Sequence, residues 1–357
     1  MSGEDVVIGP DYPVALECIQ QPGVPIGKVH AFTMQSADSA IYPGIRRLDN
    51  ENTRRRDAHG NRIAAAEHEQ SEPWPYTRTV WVYVPQQYVP GTAAPFIVVQ
   101  DGYGYMNRVP RILDNLIAQG NVPPMIAVLV DNGGGDAQGS QRGLEYDAVS
   151  GRYSDFIETE VLPRVAKEAG VVLTSDPEGR AAMGASSGAA CAFSMAWFPP
   201  ERYRRVLSYS GTFVNQQSPP STDTPRGAWE YHDHLIADAP KKPIRIWMEV
   251  GELDLHHDDP EETWHNWPLA NRRMAAVLPP RATITASHSP KAPATSTRAS
   301  PTQRYLPHSR GCGRGTNRRR TRFSALSRSS SVRLRGRAGH RWISRRRRDP
   351  GRCHEWR

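Results

Sequence analysis

Hydrophobic patterning divides the chain into short strands and amphipathic segments. "KVHAFTMQ" (28–35) reads as a first strand, and "RTVWVYVP" (78–85) alternates with period two and stops at a proline, as a half-buried strand does. Five short, nearly continuous apolar runs follow: "PFIVVQ" (95–100), "MIAVLVD" (125–131), "GRAAMG" (179–184), "RRVLSYS" (204–210) and "PIRIWMEV" (243–250). Runs of this kind suit strands covered on both faces. Helical patterns separate them: "RVPRILDNLIAQG", "YSDFIETEVLPRVAKEAG" and "SGAACAFSMAW". This alternation predicts an α/β fold, a mainly parallel sheet with helices on both faces. Functional residues in such sheets gather at the carboxyl ends of the strands.

Two stretches break the pattern. Residues 45–77, with "RRLDNENTRRRDAHGNR", read as a polar loop inserted between two strands. After the helical pattern "ETWHNWPLANRRMAAVL" (262–278) the periodicity collapses at Pro279. The prediction is a domain over residues 1–278 and an Arg/Pro/Ser-rich, disordered tail over 279–357.

Composition sharpens that boundary. The chain has 357 residues and a net charge of +8, from 45 basic and 37 acidic side chains. Twenty arginines and Lys291 lie beyond residue 278, against Asp349 and Glu355 alone, so the first 278 residues carry 24 basic and 35 acidic groups. The body is acidic and the basicity belongs to the tail. The amino terminus shows no secretory signal, and no run is long enough to span a bilayer. Four cysteines without C-x-x-C spacing fit a reducing, cytoplasmic compartment.

The chemistry sits at predicted strand ends. Gly184-Ala185-Ser186-Ser187-Gly188 is a G-x-S-x-G pattern between a strand and a helix, the setting of a nucleophile elbow. An acyl-transfer site also needs N–H donors for an oxyanion. The Ser187 amide would supply one, and the loop "QDGYGY" (100–105) another, around Gly102 and Tyr103. In "MEVGELDLHHDDP" (248–260), Asp254 stands where a carboxylate would orient a histidine, with Glu252, Asp258 and Asp259 as competitors. His256, His257, Asp258 and Asp259 lack further ligands at metal-binding spacing, so no metal is expected there.

On the stretches "WVYVPQQY", "VVQDGYGY", "YSDFIETEVLPRV", "AAMGASSGA", "VLSYSGTF" and "MEVGELD…DPEETWHNW…LANRRMAAVL", the body resembles the esterase D/enterochelin esterase-like branch of the α/β-hydrolases. The resemblance covers about residues 78–278. It implies carboxylester hydrolysis of a small molecule, or acyl transfer, without a cofactor. Ser186 maps to its nucleophile, Asp254 to its acid and Asp101-Gly102-Tyr103 to its oxyanion loop.

The family's histidine should follow one more helix and strand, in the order nucleophile, acid, histidine. His265 lies on the predicted helix, and His288, His308, His340 and His354 lie among Pro, Ser, Thr and Arg without a preceding apolar strand. The chain is therefore expected to lack the last strand and helix of the fold, and its catalytic histidine. Out-of-frame translation accounts for the arginine-rich tail. Permitted codons for Lys291–Thr297, read in the shifted frame, spell "GAGHVD"; those for Ala282–Ser287 spell "YHYRF" and those for Thr302–His308 "ATLPAAL". These make a strand, a glycine-flanked histidine and a helix start, in the missing order. The rival reading is a catalytically dead hydrolase body whose basic tail binds nucleic acid, and runs such as "SRRRRD" attract phosphate without sequence preference. Nothing in the sequence indicates an oligomeric state.

Overall fold

The computed structural model describes residues 6–8, 14–47, 71–135, 140–217, 220–278 and 283–287. The middle of the inserted loop and the rest of the tail, with His288, His308, His340 and His354, lie outside the described residues.

The strands are β1 (Val6–Ile8), β2 (Lys28–Gln35), β3 (Ile45–Arg47), β4 (Ser71–Pro73), β5 (Thr77–Val84), β6 (Ala93–Ala94), β7 (Phe96–Gln100), β8 (Ile126–Val130), β9 (Val172–Leu173), β10 (Arg180–Ala185), β11 (Arg205–Tyr209), β12 (Arg245–Gly251) and β13 (Thr283–Ser287). Nine of them form one sheet in the order β1-β13-β12-β11-β10-β7-β8-β5-β2. Only β2–β5 and β5–β8 pair antiparallel within it; every other neighbour is parallel. The short strands β3 and β4 close the base of the inserted loop as an antiparallel ribbon, and β6 pairs with β9.

The helices are α1 (Gly102–Tyr105), α2 (Val109–Ala118), α3 (Gln141–Tyr146), α4 (Arg152–Phe156), α5 (Leu162–Ala169), α6 (Ser187–Trp197), α7 (Ile236–Asp238) and α8 (Trp267–Val277). A π-turn over Ile157–Val161 joins α4 to α5 just before Pro163, whose missing N–H cannot continue the ladder. Gly170, at φ 64°, ends α5 in the left-handed region.

Successive strand residues serve two cores. Phe96 and Val98 join Val80, Val82, Val128, Phe156 and the α6 residues Ala190 and Phe193 on one face. Ile97 and Val99 join Leu129, Leu113 and Leu116 on the other. Every residue of α6 is buried, which its lack of a polar stripe allows. The parallel α/β architecture expected from the sequence is present.

Two expectations need correction. The sheet does not lack its last strand: β13 pairs parallel with β12, setting Trp247 opposite Thr283 and Gly251 opposite Ser287, and with β1 beyond it. Residues Thr283, Ile284 and Thr285 are β-branched and fit a pleated surface, although too few of them are apolar to look like a buried strand. The sheet therefore runs past residue 278. The second correction concerns the helix expected from residue 262. It starts at Trp267, where Asn266 Oδ1 accepts from the Leu269 N–H at 2.9 Å and caps it. His265 thus precedes the helix.

Candidate active site

Ser186 ends the turn from β10 into α6 with φ 55° and ψ −129°, a backbone region that costs a non-glycine residue on the order of 1–3 kcal/mol. The neighbours make that turn sterically possible. A Cβ on Gly184 would lie 2.3 Å from the Gly188 carbonyl, so the chain crosses itself too closely for any side chain there. The strained serine is held at three points. Its N–H donates to the Tyr209 carbonyl (3.0 Å), its carbonyl accepts from the Thr212 N–H (3.2 Å), and its Oγ lies 3.2 Å from Thr212 Oγ1.

The loop after β7 reaches the same end of the sheet. Asp101 is left-handed (φ 56°, ψ 48°), and its carboxylate is clamped by the Arg142 guanidinium, Nε on Oδ1 at 3.0 Å and Nη2 on Oδ2 at 2.8 Å. Asn132 Nδ2 donates to Oδ1 at 2.6 Å, and the Asp101 N–H donates to the Tyr146 hydroxyl at 3.1 Å. This clamp packs against α6: a Cβ on Gly188 would lie 3.3 Å from Asp101 Oδ2. Gly102 follows, where a Cβ would stand 2.7 Å from the Leu129 carbonyl carbon. The Tyr103 N–H donates to Asp131 Oδ1 at 3.1 Å. Burial pushes the Asp131 carboxyl upward, and that N–H opposes the shift. Ser187 is fully buried, with its Oγ accepting from Gln216 Nε2 at 3.1 Å. Its N–H belongs to the first turn of α6, which has no intrahelical acceptors.

Asp254 lies beyond the end of β12. Its Oδ2 accepts from Ser210 Oγ at 2.5 Å and its Oδ1 from the Leu255 N–H at 2.7 Å. Ser210 directly follows Tyr209, whose carbonyl holds the Ser186 amide, so β11 links the two expected triad members. Two of the competing carboxylates turn elsewhere: Asp259 Oδ2 is 2.8 Å from His256 Nδ1, and Asp258 is mostly exposed beside His257 Nε2.

Five described histidines, from His232 to His265, engage other groups. His257 Nδ1 is 3.2 Å from the Asp254 backbone carbonyl, and buried His265 Nδ1 is 2.7 Å from Thr263 O. His232 Nε2 is 3.0 Å from Phe213 O, and His234 Nδ1 is 3.2 Å from Glu230 Oε2. Among the described residues, Ser186 Oγ bonds to Thr212. Glu230, Asp233 and His234 bring ligand atoms within 4.8 Å of one another, but Arg226 already bonds both carboxylates, at 2.8 and 2.7 Å. The His256–Asp259 stretch forms no such group among the described residues.

The structure thus brings together Ser186, Ser187, Gly102, Tyr103 and Asp254 at the carboxyl ends of β7, β10 and β12. Sequence reading missed Ser210, Thr212, Asn132, Arg142 and Tyr146. The first two lie in "VLSYSGTF", but no periodicity pairs Arg142 with Asp101, 41 positions away.

The chain matches the Esterase family model over residues 71–287. It is similar in structure to the ferric enterobactin esterase of Salmonella typhimurium, with 21% identity, a TM-score of 0.50, and coverage of 78% of this chain and 58% of that one. A ferulic acid esterase from the anaerobic fungus Anaeromyces mucronatus is similar with 13% identity and a TM-score of 0.50, covering 76% of this chain and 87% of that one. The enterobactin esterase of Shigella flexneri aligns at 21% identity over 60% of this chain, with a TM-score of 0.45, and the chain spans 50% of its length. No curated protein matches the chain. The two likenesses at a TM-score of 0.50 concern the fold, and it is the α/β-hydrolase fold. No helix among the described residues is long and apolar enough to cross a membrane.

Proposed function

Because the chain belongs to the Esterase family of hydrolases, matched over residues 71–287, we propose that it is built to hydrolyse a small carboxylic ester through an acyl-enzyme on Ser186. One observation carries this reading: Ser186 sits in a strained strand-to-helix turn in which Gly184 leaves no room for a side chain. Such a turn lifts a hydroxyl above the sheet, clear of its own helix.

In this reading Ser186 Oγ attacks the acyl carbon. The carbonyl oxygen becomes an oxyanion facing the first-turn amide of Ser187 and that of Gly102. Tyr103, the other loop donor expected from the sequence, has its N–H committed to Asp131, which favours Gly102 for the role. Asp254 would orient the imidazole that takes the serine proton. The setting we infer is cytoplasmic, from the cysteine usage.

We assign that imidazole to the reading frame shifted by one base, "GAGHVD", and infer that the encoded chain works without it. A serine lacking its base stays protonated, and triad losses cost on the order of 10⁴–10⁶ in kcat. His288 follows β13 directly, so a preceding strand no longer argues against it, and the assay must include it. Hydrolysis of 4-nitrophenyl acetate should be measured for the encoded chain, for Ser186→Ala, for His288→Gln, and for a gene with a one-base correction near codons 278–281. The expected result is a large Ser186-dependent gain on correction and a near-baseline encoded chain. Strong activity of the encoded chain that His288→Gln abolishes would overturn the frameshift and make His288 the base.

A further inference from the structure

At the amino ends of the central strands, away from Ser186, three guanidinium groups converge on one carboxylate. Arg205 opens β11 and Arg245 opens β12, and the parallel register sets them opposite each other. Arg204 precedes β11, and Glu178 lies in the 3₁₀ turn Pro177–Gly179 that leads into β10. Arg204 Nη1 is 3.2 Å from Glu178 Oε1, while Arg205 Nη2 and Arg245 Nη2 are 3.3 and 3.0 Å from Oε2. Arg205 Nε also donates to the Glu178 backbone carbonyl at 2.6 Å, and Arg204 Nε to Pro200 O at 3.1 Å.

Charge is not balanced there. Like charges facing each other on paired strands repel. Asp176, the other acid acting on Arg205, leaves three cations against two anions. Burial and the neighbouring Arg245 charge both push the Arg205 guanidinium below its ordinary range. Other arginine clusters in this acidic body have the opposite balance: Arg226 meets Glu230 and Asp233, and Arg273 meets Asp233 and Glu261. Among the described residues, Arg204 Nη2, Arg205 Nη1 and Arg245 Nε and Nη1 have no acceptor. The side chains stay open to solvent, with Arg204 30% and Arg245 42% exposed.

We propose that Arg204, Arg205 and Arg245 form a binding site for a phosphate-type dianion. A tetrahedral oxyanion accepts several N–H bonds at once from planar guanidinium forks, which suits it to the unused donors. The six residues of β10 separate this end of the sheet from Ser186 by about 20 Å, so the bound anion is not the ester under attack.

The test is thermal melting of the full chain in sodium phosphate against sodium chloride at equal ionic strength, for the unmodified chain, Arg245→Gln and Arg202→Gln. Arg202 is a suitable control, because it pairs one to one with Asp155. The expected result is a phosphate-specific rise in Tm of a few degrees that saturates at millimolar phosphate, persists in Arg202→Gln and disappears in Arg245→Gln. In chloride, Arg245→Gln should melt no lower than the unmodified chain, since its removal relieves repulsion. The basic tail is common to all three proteins, so its own affinity for phosphate cancels in the comparison. A phosphate increment that is absent from the unmodified chain, or equal in Arg245→Gln, would overturn the proposal and leave a plain ion-pair cluster.

Discussion

His232 shows how one buried side chain ties stability to pH. The residue is 3% exposed, with Nε2 facing Phe213 O and Nδ1 accepting from Arg273 Nε at 3.2 Å. That arrangement uses the neutral imidazole with its proton on Nε2. Burial, reinforced by the Arg273 charge, pushes the pKa down to about 4, with the Phe213 bond opposing. The unfolded chain binds the proton more readily, with a pKa near 6.5, so stability is full above about pH 6.5 and is lost as pH falls toward 4. The loss amounts to about 3 kcal/mol at the acid end. Urea unfolding of the unmodified chain between pH 7 and 4 should show that slope, and His232→Gln should flatten it. An unchanged slope in the variant would show that other groups carry the acid sensitivity. Phe213 is next to Thr212, the partner of Ser186, so the same titration reaches the site's supporting loop.

Between elements, the base of the inserted loop is tied to the site by a buried ion pair. Arg78, on β5, donates to both carboxylate oxygens of Glu145 on α3, at 3.0 and 2.7 Å, and to the Asp131 carbonyl at 2.8 Å. Tyr76 and Gln141 also donate to Glu145 Oε1, at 2.8 and 3.0 Å, and Gln141 Oε1 accepts from the Ile45 N–H. The same helix carries Arg142, which clamps Asp101. Breaking a buried pair leaves an uncompensated charge and costs about 3–5 kcal/mol, whereas replacing both partners by apolar groups costs far less. Glu145→Gln should therefore lower the urea midpoint strongly, and Arg78→Met with Glu145→Leu should recover most of the loss. If the double variant is no better than the single one, the network matters through its hydrogen bonds and not through the unpaired charge.

For the whole molecule, the question is where the folded domain stops. Strand β13 belongs to the nine-stranded sheet and pairs with β12, so the described domain extends to at least Ser287. A chain ending after Pro290 keeps β13, whereas one ending after Leu278 leaves the β12 edge unpaired and open to intermolecular pairing. The 278-residue version should melt several degrees lower and aggregate at lower concentration than the 290-residue version, by light scattering. Equal behaviour of the two would mean that β13 contributes nothing to the sheet.

Much of the fold was legible because its causes are local. Period-two and apolar runs marked β2, β5, β7, β8, β10, β11 and β12 to within about two residues, as steric and burial preferences act on neighbours in the chain. The turn at Ser186 was legible for the same reason: Gly184 and Gly188 cross within five residues, and position 184 has no room for a side chain. Strands β1 and β13 escaped, one because three residues carry little periodic signal and the other because Thr283–Ser287 has a polar composition. Strand β13 takes its register from β12, and β1 takes its register from β13. Tertiary structure alone decided which partners complete the site. The Arg142 clamp on Asp101, the Ser210 bond to Asp254, the Thr212 contact with Ser186 and the Asp131 hold on Tyr103 join residues 26 to 44 positions apart. Distances of that kind are set by which strand ends the sheet brings side by side, a choice made by the packing of the whole core.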